Sequence, residues 1–259
     1  MESNSKRIAV AGATGRVGSH TVAVLTERGH DVVSISRSTG VDVVTGEGLA
    51  EALDGVEVVI DTATGASPDR DAATEFFETA TRNLQRAGER AGVGRIVVVS
   101  IIATDRFAGG YGLAKQAHER AMLAGPVPAQ ILRAAQFHEF VPELIGWGRQ
   151  GDISYVPRMR TQVVAAQKVA EALADLAVGA DGDVSNDPIP EIAGPRVESL
   201  IEIARLYAER VGDPERVEEG GDPDDPDAEL NANGGLLPSE HALLAGPTFA
   251  DWLDSKRPV

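Results

Sequence analysis

Apolar residues run unbroken over Ile8-Ala9-Val10-Ala11 and stop at a glycine. A short apolar run closed by a turn predicts a buried strand over 7–11. Val22 and Leu25 then recur at helical spacing, which predicts a helix over 16–28 with Gly29 at its C-cap. The same alternation continues. Strands are predicted over 31–36, 41–44, 56–61, 96–100 and 129–132, with helices over 48–53, 70–91 and 111–123. The longest helix carries Phe76, Phe77, Ala80 and Leu84 as its apolar stripe. Beyond residue 150 the periodicity weakens to helices over 167–177 and 196–211 and a strand over 189–193. Phe249 and Trp252, three apart, share one helical face suited to anchoring the tail.

Strands alternating with helices, several of the strands continuously apolar, predict an α/β chain with a doubly wound parallel sheet. Ligands of such sheets bind beyond the carboxyl ends of the strands. The expected organisation is a single domain over 1–259. Its core spans 6–145, and a small C-terminal lobe on the substrate side spans 146–259. Within that lobe, 213–229 holds nine acidic residues, one Arg and three Pro, and reads as an exposed loop.

Composition changes this picture little. A length of 259 residues, 42% hydrophobic and 25% charged, is ordinary for a globular protein. Cysteine is absent, which excludes disulfides, thiolate metal sites and a cysteine nucleophile. The formal net charge of −16 disfavours nucleic acid as a partner. The start, Met1 to Arg7, has no apolar leader, and no run is long enough to cross a bilayer, so a cytoplasmic protein without a membrane partner is expected. The five histidines lack ligand spacing, and no metal is expected.

Chemistry concentrates at the predicted strand ends. Gly12, Gly15 and Gly18 form G-x-x-G-x-x-G between the first strand and helix. Glycines permit a tight turn and close backbone approach, and a helix N-terminus suits a diphosphate. Gly12, Thr14, Gly15, Arg16, Val17 and Gly18 are therefore the candidate diphosphate loop; the alternative is a structural βα turn. At the end of the second strand stands Ser36-Arg37-Ser38, where an NAD site carries an acidic residue. Arg37, with Arg16 nearby, suits a 2′-phosphate, which favours NADP(H) over NAD(H); the alternative for each is a surface charge. Tyr111 and Lys115 form Y-x-x-x-K at a helix start, four apart and so on one face. A nearby ammonium lowers a phenol's pKa and donates to ribose hydroxyls. Ser100, ending the fifth predicted strand, is placed to hold a substrate oxygen. The alternative for the pair is an exposed tyrosine beside a surface lysine.

Gly12-Ala13-Thr14-Gly15-Arg16-Val17-Gly18, Val98 to Ile101, Tyr111 to Lys115 and Ile131 to His138 together resemble the atypical short-chain dehydrogenase/reductase superfamily, in its NmrA-like NAD(P)-binding branch. The likeness is strongest over 6–145, and Phe249 to Leu253 resembles tails of that branch. It implies a Rossmann-type core, a nicotinamide dinucleotide and reduction of a carbonyl, quinone or enone. In the family pattern Asp42 lies by the adenine, and Ala63 and Thr64 by the adjoining ribose and diphosphate. Gln136 and Phe137 lie near the nicotinamide. The spacing from Ser100 to Tyr111 is shorter than the superfamily's. Phe137, His138, Phe140 and Tyr155 are substrate-side candidates, with core packing as the alternative. The branch also contains non-catalytic redox sensors that act through a protein partner. They commonly lack the tyrosine, so Tyr111 favours an enzyme of a small-molecule substrate. A sugar-nucleotide epimerase on the same scaffold is expected to need a larger C-terminal lobe.

Overall fold

Ile8, Ala9, Val10 and Ala11 are completely buried, as an unbroken apolar strand requires. They lie in β1 (Arg7–Ala11), followed by α1 (Arg16–Glu27), β2 (Asp31–Ile35), α2 (Leu49–Ala52), β3 (Val58–Asp61), α3 (Arg70–Ala91), β4 (Arg95–Ile101), α4 (Gly110–Leu123) and β5 (Ala129–Ala134). The remainder holds α5 (Val141–Trp147), β6 (Arg149–Gln150), β7 (Ile153–Val156), β8 (Arg160–Thr161), α6 (Ala166–Val178), β9 (Glu191–Ala193), β10 (Glu198–Ser199), α7 (Leu200–Val211), β11 (Arg216–Glu219), α8 (Ala228–Ala232), β12 (Leu243–Leu244) and α9 (Phe249–Ser255). This computed structural model describes residues 5–179 and 185–256; Met1 to Asn4, the beginning of the segment read as lacking a leader, lies outside the described residues.

The chain packs as two compact units. The first takes the residues up to Ser100 together with Gly110–Leu132 and Val169–Pro190. Its strands stand in the order β5-β4-β3-β1-β2. Pairing is parallel between β1 and β2, β1 and β3, and β3 and β4. The register sets Ala11 opposite both Ile35 and Asp61, so the carboxyl ends of three strands lie side by side. Beneath them Ala9, Val59, Leu84, Ile96, Val98 and Ile131 share one apolar core. The first turn of α3 is closed by Asp69, whose carboxylate accepts from the Asp71 and Ala72 N–H groups.

The second unit takes Ile101–Gly109, Arg133–Lys168 and the residues from Glu191 on. Arg133 and Ala134 of β5 pair in parallel with β9, which pairs with β12. A three-stranded sheet β11-β7-β6 and the pair β10-β8 complete its strands. Leu200, Ile203, Ala204, Val217 and Phe249 lie in its core. Phe249 is fully buried and its ring lies 5.6 Å from that of Trp252.

Two segments depart from the sequence reading. Residues 41–44 form no strand. The Asp42 carboxylate accepts from the Val44 and Thr45 N–H groups and bends the chain into a turn, and Asn83 donates to the Val43 and Val44 carbonyls that a neighbouring strand would otherwise use. The acidic stretch 213–229 is not simply an exposed loop. Val217 is buried in β11, which pairs in parallel with β7, and buried Asp227 accepts from the N–H groups of Ala108 and Gly109 at 2.8 and 3.1 Å.

Candidate functional site

Backbone hydrogen bonds shape the glycine turn. Gly12 and Ala13 donate to the Ile35 carbonyl, and Gly15 donates to Gly12. Gly12 has φ +75°, and a Cβ there would meet the Thr62 and Ala63 backbone at 2.8 Å. A Cβ on Gly18 would meet the Gly12 oxygen at 2.1 Å. These two glycines let β1, β3 and α1 approach one another. Gly15 is the N-cap of α1 and brings no side chain to close the first turn, which contains no acidic residue. Thr14, Gly15 and Arg16 are exposed, whereas Val17 and Gly18 are buried. Thr62, which sequence reasoning passed over, donates its hydroxyl to the Ala11 carbonyl at 2.7 Å and fixes the turn against β3.

Ser36 begins a short 3-10 turn, Arg37–Thr39. Its hydroxyl lies 2.9 Å from that of Ser38, and Thr39 donates back to the Ser34 carbonyl. Arg37 is exposed at this edge.

Tyr111 and Lys115 lie on one face of α4 but face different surroundings. The half-buried phenol has its oxygen 3.3 Å from the exposed Thr64 hydroxyl, and its ring meets Phe77 edge-on at 5.8 Å. Lys115 is buried. Its Nζ donates to the Val99 carbonyl at 2.9 Å, lies 2.9 Å from His118 Nδ1 and sits 4.6 Å from the centre of the Phe77 ring. Burial raises the Tyr111 pKa, partly offset by its bond with Thr64, whereas the sequence reading expects an ammonium to lower it. Burial also lowers the Lys115 pKa to about 8, against the pull of Asp61 and Glu119. Ser100 is buried at the end of β4.

The nicotinamide-side and substrate-side candidates lie in the second unit. Gln136 Oε1 accepts from the Thr161 hydroxyl at 2.5 Å, and Phe137 bridges to Val164. His138 is fully buried, 3.2 Å from the Pro247 carbonyl and against the rings of Phe249 and Trp252, the surroundings of a packing residue. Phe140 packs edge-on against Trp147, and the Tyr155 ring lies over Gly220. Among the described residues no group of three or more His, Asp or Glu is set to hold a metal, and no helix is long and apolar enough to cross a membrane.

Residues 12–139, from the glycine turn through α4 and β5, match the NAD(P)H-binding family model. This stretch is thus similar to NAD(P)H-binding domains. A 3-beta-hydroxysteroid dehydrogenase of Mycolicibacterium neoaurum is 34% identical over 112 residues, which cover 35% of this chain and 31% of the relative. The match thus spans about a third of that relative's length. Two solved structures share the fold over nearly the whole chain. MoeE5 in complex with UDP-glucose and NAD matches at TM-score 0.71 and 20% identity, over 96% of this chain and 97% of its own. The NADPH-dependent quinone oxidoreductase QOR2 of Escherichia coli, complexed with NADPH, matches at TM-score 0.65 and 19% identity, over 96% and 99%.

The matched stretch has features that suit a dinucleotide. A first turn without side-chain cap or acidic residue leaves the α1 N-terminus suited to a diphosphate, in contrast to the Asp69-capped α3. The stretch also contains three side chains that motif reading missed. Asp61, His118 and Phe77 surround Lys115. His118 follows Lys115 by three residues on the same helix, a spacing that places both on one face. An aspartate ending an otherwise apolar strand was the signal for Asp61.

Proposed function

We propose that the protein is an NADP(H)-dependent reductase of a small carbonyl, quinone or enone compound. In this reading Gly12, Thr14, Gly15, Arg16, Val17 and Gly18 receive the diphosphate. Arg37, with Ser36 and Ser38, receives the 2′-phosphate, since this strand end carries a guanidinium where an acidic residue would select NAD(H). Asp42 lies by the adenine, and Ala63, Thr64 and Lys115 by the ribose. When bound, the reduced nicotinamide supplies a hydride. Tyr111 gives its proton to the oxygen of the same carbonyl, so hydride and proton together turn C=O into an alcohol, and solvent returns the proton to the phenolate. Thr64 orients that oxygen in place of Ser100, whose hydroxyl is enclosed. The observation that carries the reading is the Thr64–Tyr111 hydroxyl pair, 3.3 Å apart in the unit that contains the glycine turn. A phenol whose pKa is raised is protonated at neutral pH, as a proton donor must be.

One finding favours a second reading. MoeE5 is matched over 97% of its length and was solved with UDP-glucose, so a chain of this size does not exclude a sugar nucleotide as substrate. Fluorescence titration with NADPH and NADH, then NADPH consumption with quinones, ketones and enones, tests the proposal. We expect tighter binding of NADPH, steady consumption with at least one class, and a Tyr111→Phe variant that keeps cofactor affinity but turns over about a hundredfold more slowly. Binding without consumption, in the manner of a redox sensor, overturns the reductase. Conversion of UDP-glucose with retained oxidised cofactor replaces it with the sugar-nucleotide reading.

A further inference from the structure

Asp61, His118 and Lys115 form one buried chain of polar contacts. Lys115 Nζ reaches the Val99 carbonyl and His118 Nδ1, each at 2.9 Å. His118 Nε2 lies 3.3 Å from Asp61 Oδ2. Asp61 Oδ1 accepts from the Ala63 N–H at 3.0 Å, at the strand end that borders the glycine turn. An ammonium has only donors, so His118 Nδ1 must accept; the ring then carries its proton on Nε2 and donates to Asp61. The imidazole is stacked on Phe77, 4.4 Å between centroids at 12°, which fixes the plane in which both its nitrogens point.

We propose that Asp61 and His118 are positioning residues for Lys115: together with the Val99 carbonyl they clamp its ammonium group and supply its counter-charge. The proposal rests on the reading of Lys115 as a cofactor-side residue. A lysine side chain has many rotamers, and two fixed acceptors reduce them to one. The groups that face Lys115 are Asp61 from β3, the Val99 carbonyl of β4, His118 and Glu119 from α4, and apolar Phe77 from α3. Of these, Asp61 and Glu119 favour its charged form against burial. Burial and the neighbouring ammonium hold His118 neutral, consistent with its accepting at Nδ1. Asp61 and His118 are themselves almost wholly enclosed, so the pair holds charge in place and is not a proton path to solvent.

The first test needs no variant and no cofactor. The chain has five histidines and four lysines, few enough to resolve by nitrogen NMR. In the wild-type protein His118 is expected as the Nε2–H tautomer, staying neutral as the pH falls through the range in which an exposed histidine protonates. An Nδ1–H tautomer, or ordinary protonation, overturns the clamp. The second test follows the Lys115 ammonium signal with pH. Asp61→Asn is expected to lower its midpoint by about one unit or more, and an unmoved midpoint overturns the proposal.

The third test separates hydrogen bonding from packing. His118→Phe keeps a ring on Phe77 but loses both bonds, whereas His118→Gln keeps an acceptor and a donor. NADPH affinity is expected to fall about tenfold or more in the first and to recover in the second. Equal affinity of His118→Phe and wild type reduces His118 to a packing residue. If Asp61→Asn fails to fold, the wild-type tautomer still decides. If no compound consumes NADPH, the reductase fails while the two NMR readouts still judge the clamp. If turnover depends on Tyr111 but Lys115 ignores Asp61, the clamp fails alone.

Discussion

Tyr111 and Lys115 are four positions apart, and that spacing secures a shared helix face without securing a shared environment. Lys115 turns inward to the Val99 carbonyl and His118, while Tyr111 meets Thr64. The cost of burying the ammonium makes a prediction about stability. Its pKa is about 8 in the folded protein, against an ordinary 10.5 in the unfolded chain. Below pH 8 both states carry the charge, and the penalty is constant. Between 8 and 10.5 the unfolded chain binds the extra proton, so stability rises with pH. Tyr111, raised above its ordinary 10, opposes this only beyond that value. The urea midpoint of the wild type should therefore climb between pH 8 and 10 relative to Lys115→Met. Parallel profiles would show that Lys115 is not buried as a cation.

At the scale of elements, the first half of the chain was legible because strands of β1's kind are apolar on both faces and each is closed by a turn signal. The long helix α3 has the bounds its pattern predicts, from the Asp69 cap to Gly92 at its C-cap. Residues 41–44 have the apolar look of a strand, yet the Asp42 turn wins because its carboxylate satisfies two backbone donors locally. In the second unit, β6, β8, β10 and β12 are two residues long, too short for any periodicity, and β11 has only Val217 buried among polar residues. The glycine turn was legible as a motif, but the division of labour among its glycines was not. Gly18→Ala would force a Cβ onto the Gly12 oxygen and should cost about 1–3 kcal/mol by overpacking. Gly15 has an ordinary φ of −77° and a Cβ there would meet only the Gly12 oxygen, at 3.1 Å. Gly15→Ala should thus cost less stability than Gly18→Ala and lose mainly NADPH affinity. Urea unfolding and fluorescence titration of the two variants check the contrast; equal losses of stability would remove it.

Across the whole molecule the dominant electrostatic fact is a net charge of −16, which repels itself more in the compact state than in the open chain. Salt relieves that repulsion, since the screening length falls from about 30 Å at 0.01 M to about 8 Å at 0.15 M. The urea midpoint of the wild type should rise over that range. The acidic stretch 213–229 then separates charges by what they do. Glu215 and Asp224 are exposed, and neutralising both, as Glu215→Gln with Asp224→Asn, should raise the midpoint at low salt and flatten its salt dependence. Asp227 is different: it is buried, and its two oxygens accept from the Ala108 and Gly109 N–H groups. An asparagine there turns an amide N–H₂ toward one of those donors and leaves it unpaired, at a cost of about 1–3 kcal/mol. Asp227→Asn should therefore lower the midpoint by a similar amount at both salt concentrations, although it removes negative charge from an overcharged molecule. If it instead stabilises the protein at low salt like the exposed pair, the stretch is the solvated loop its composition suggests, and the contact with Ala108 and Gly109 contributes nothing to the fold.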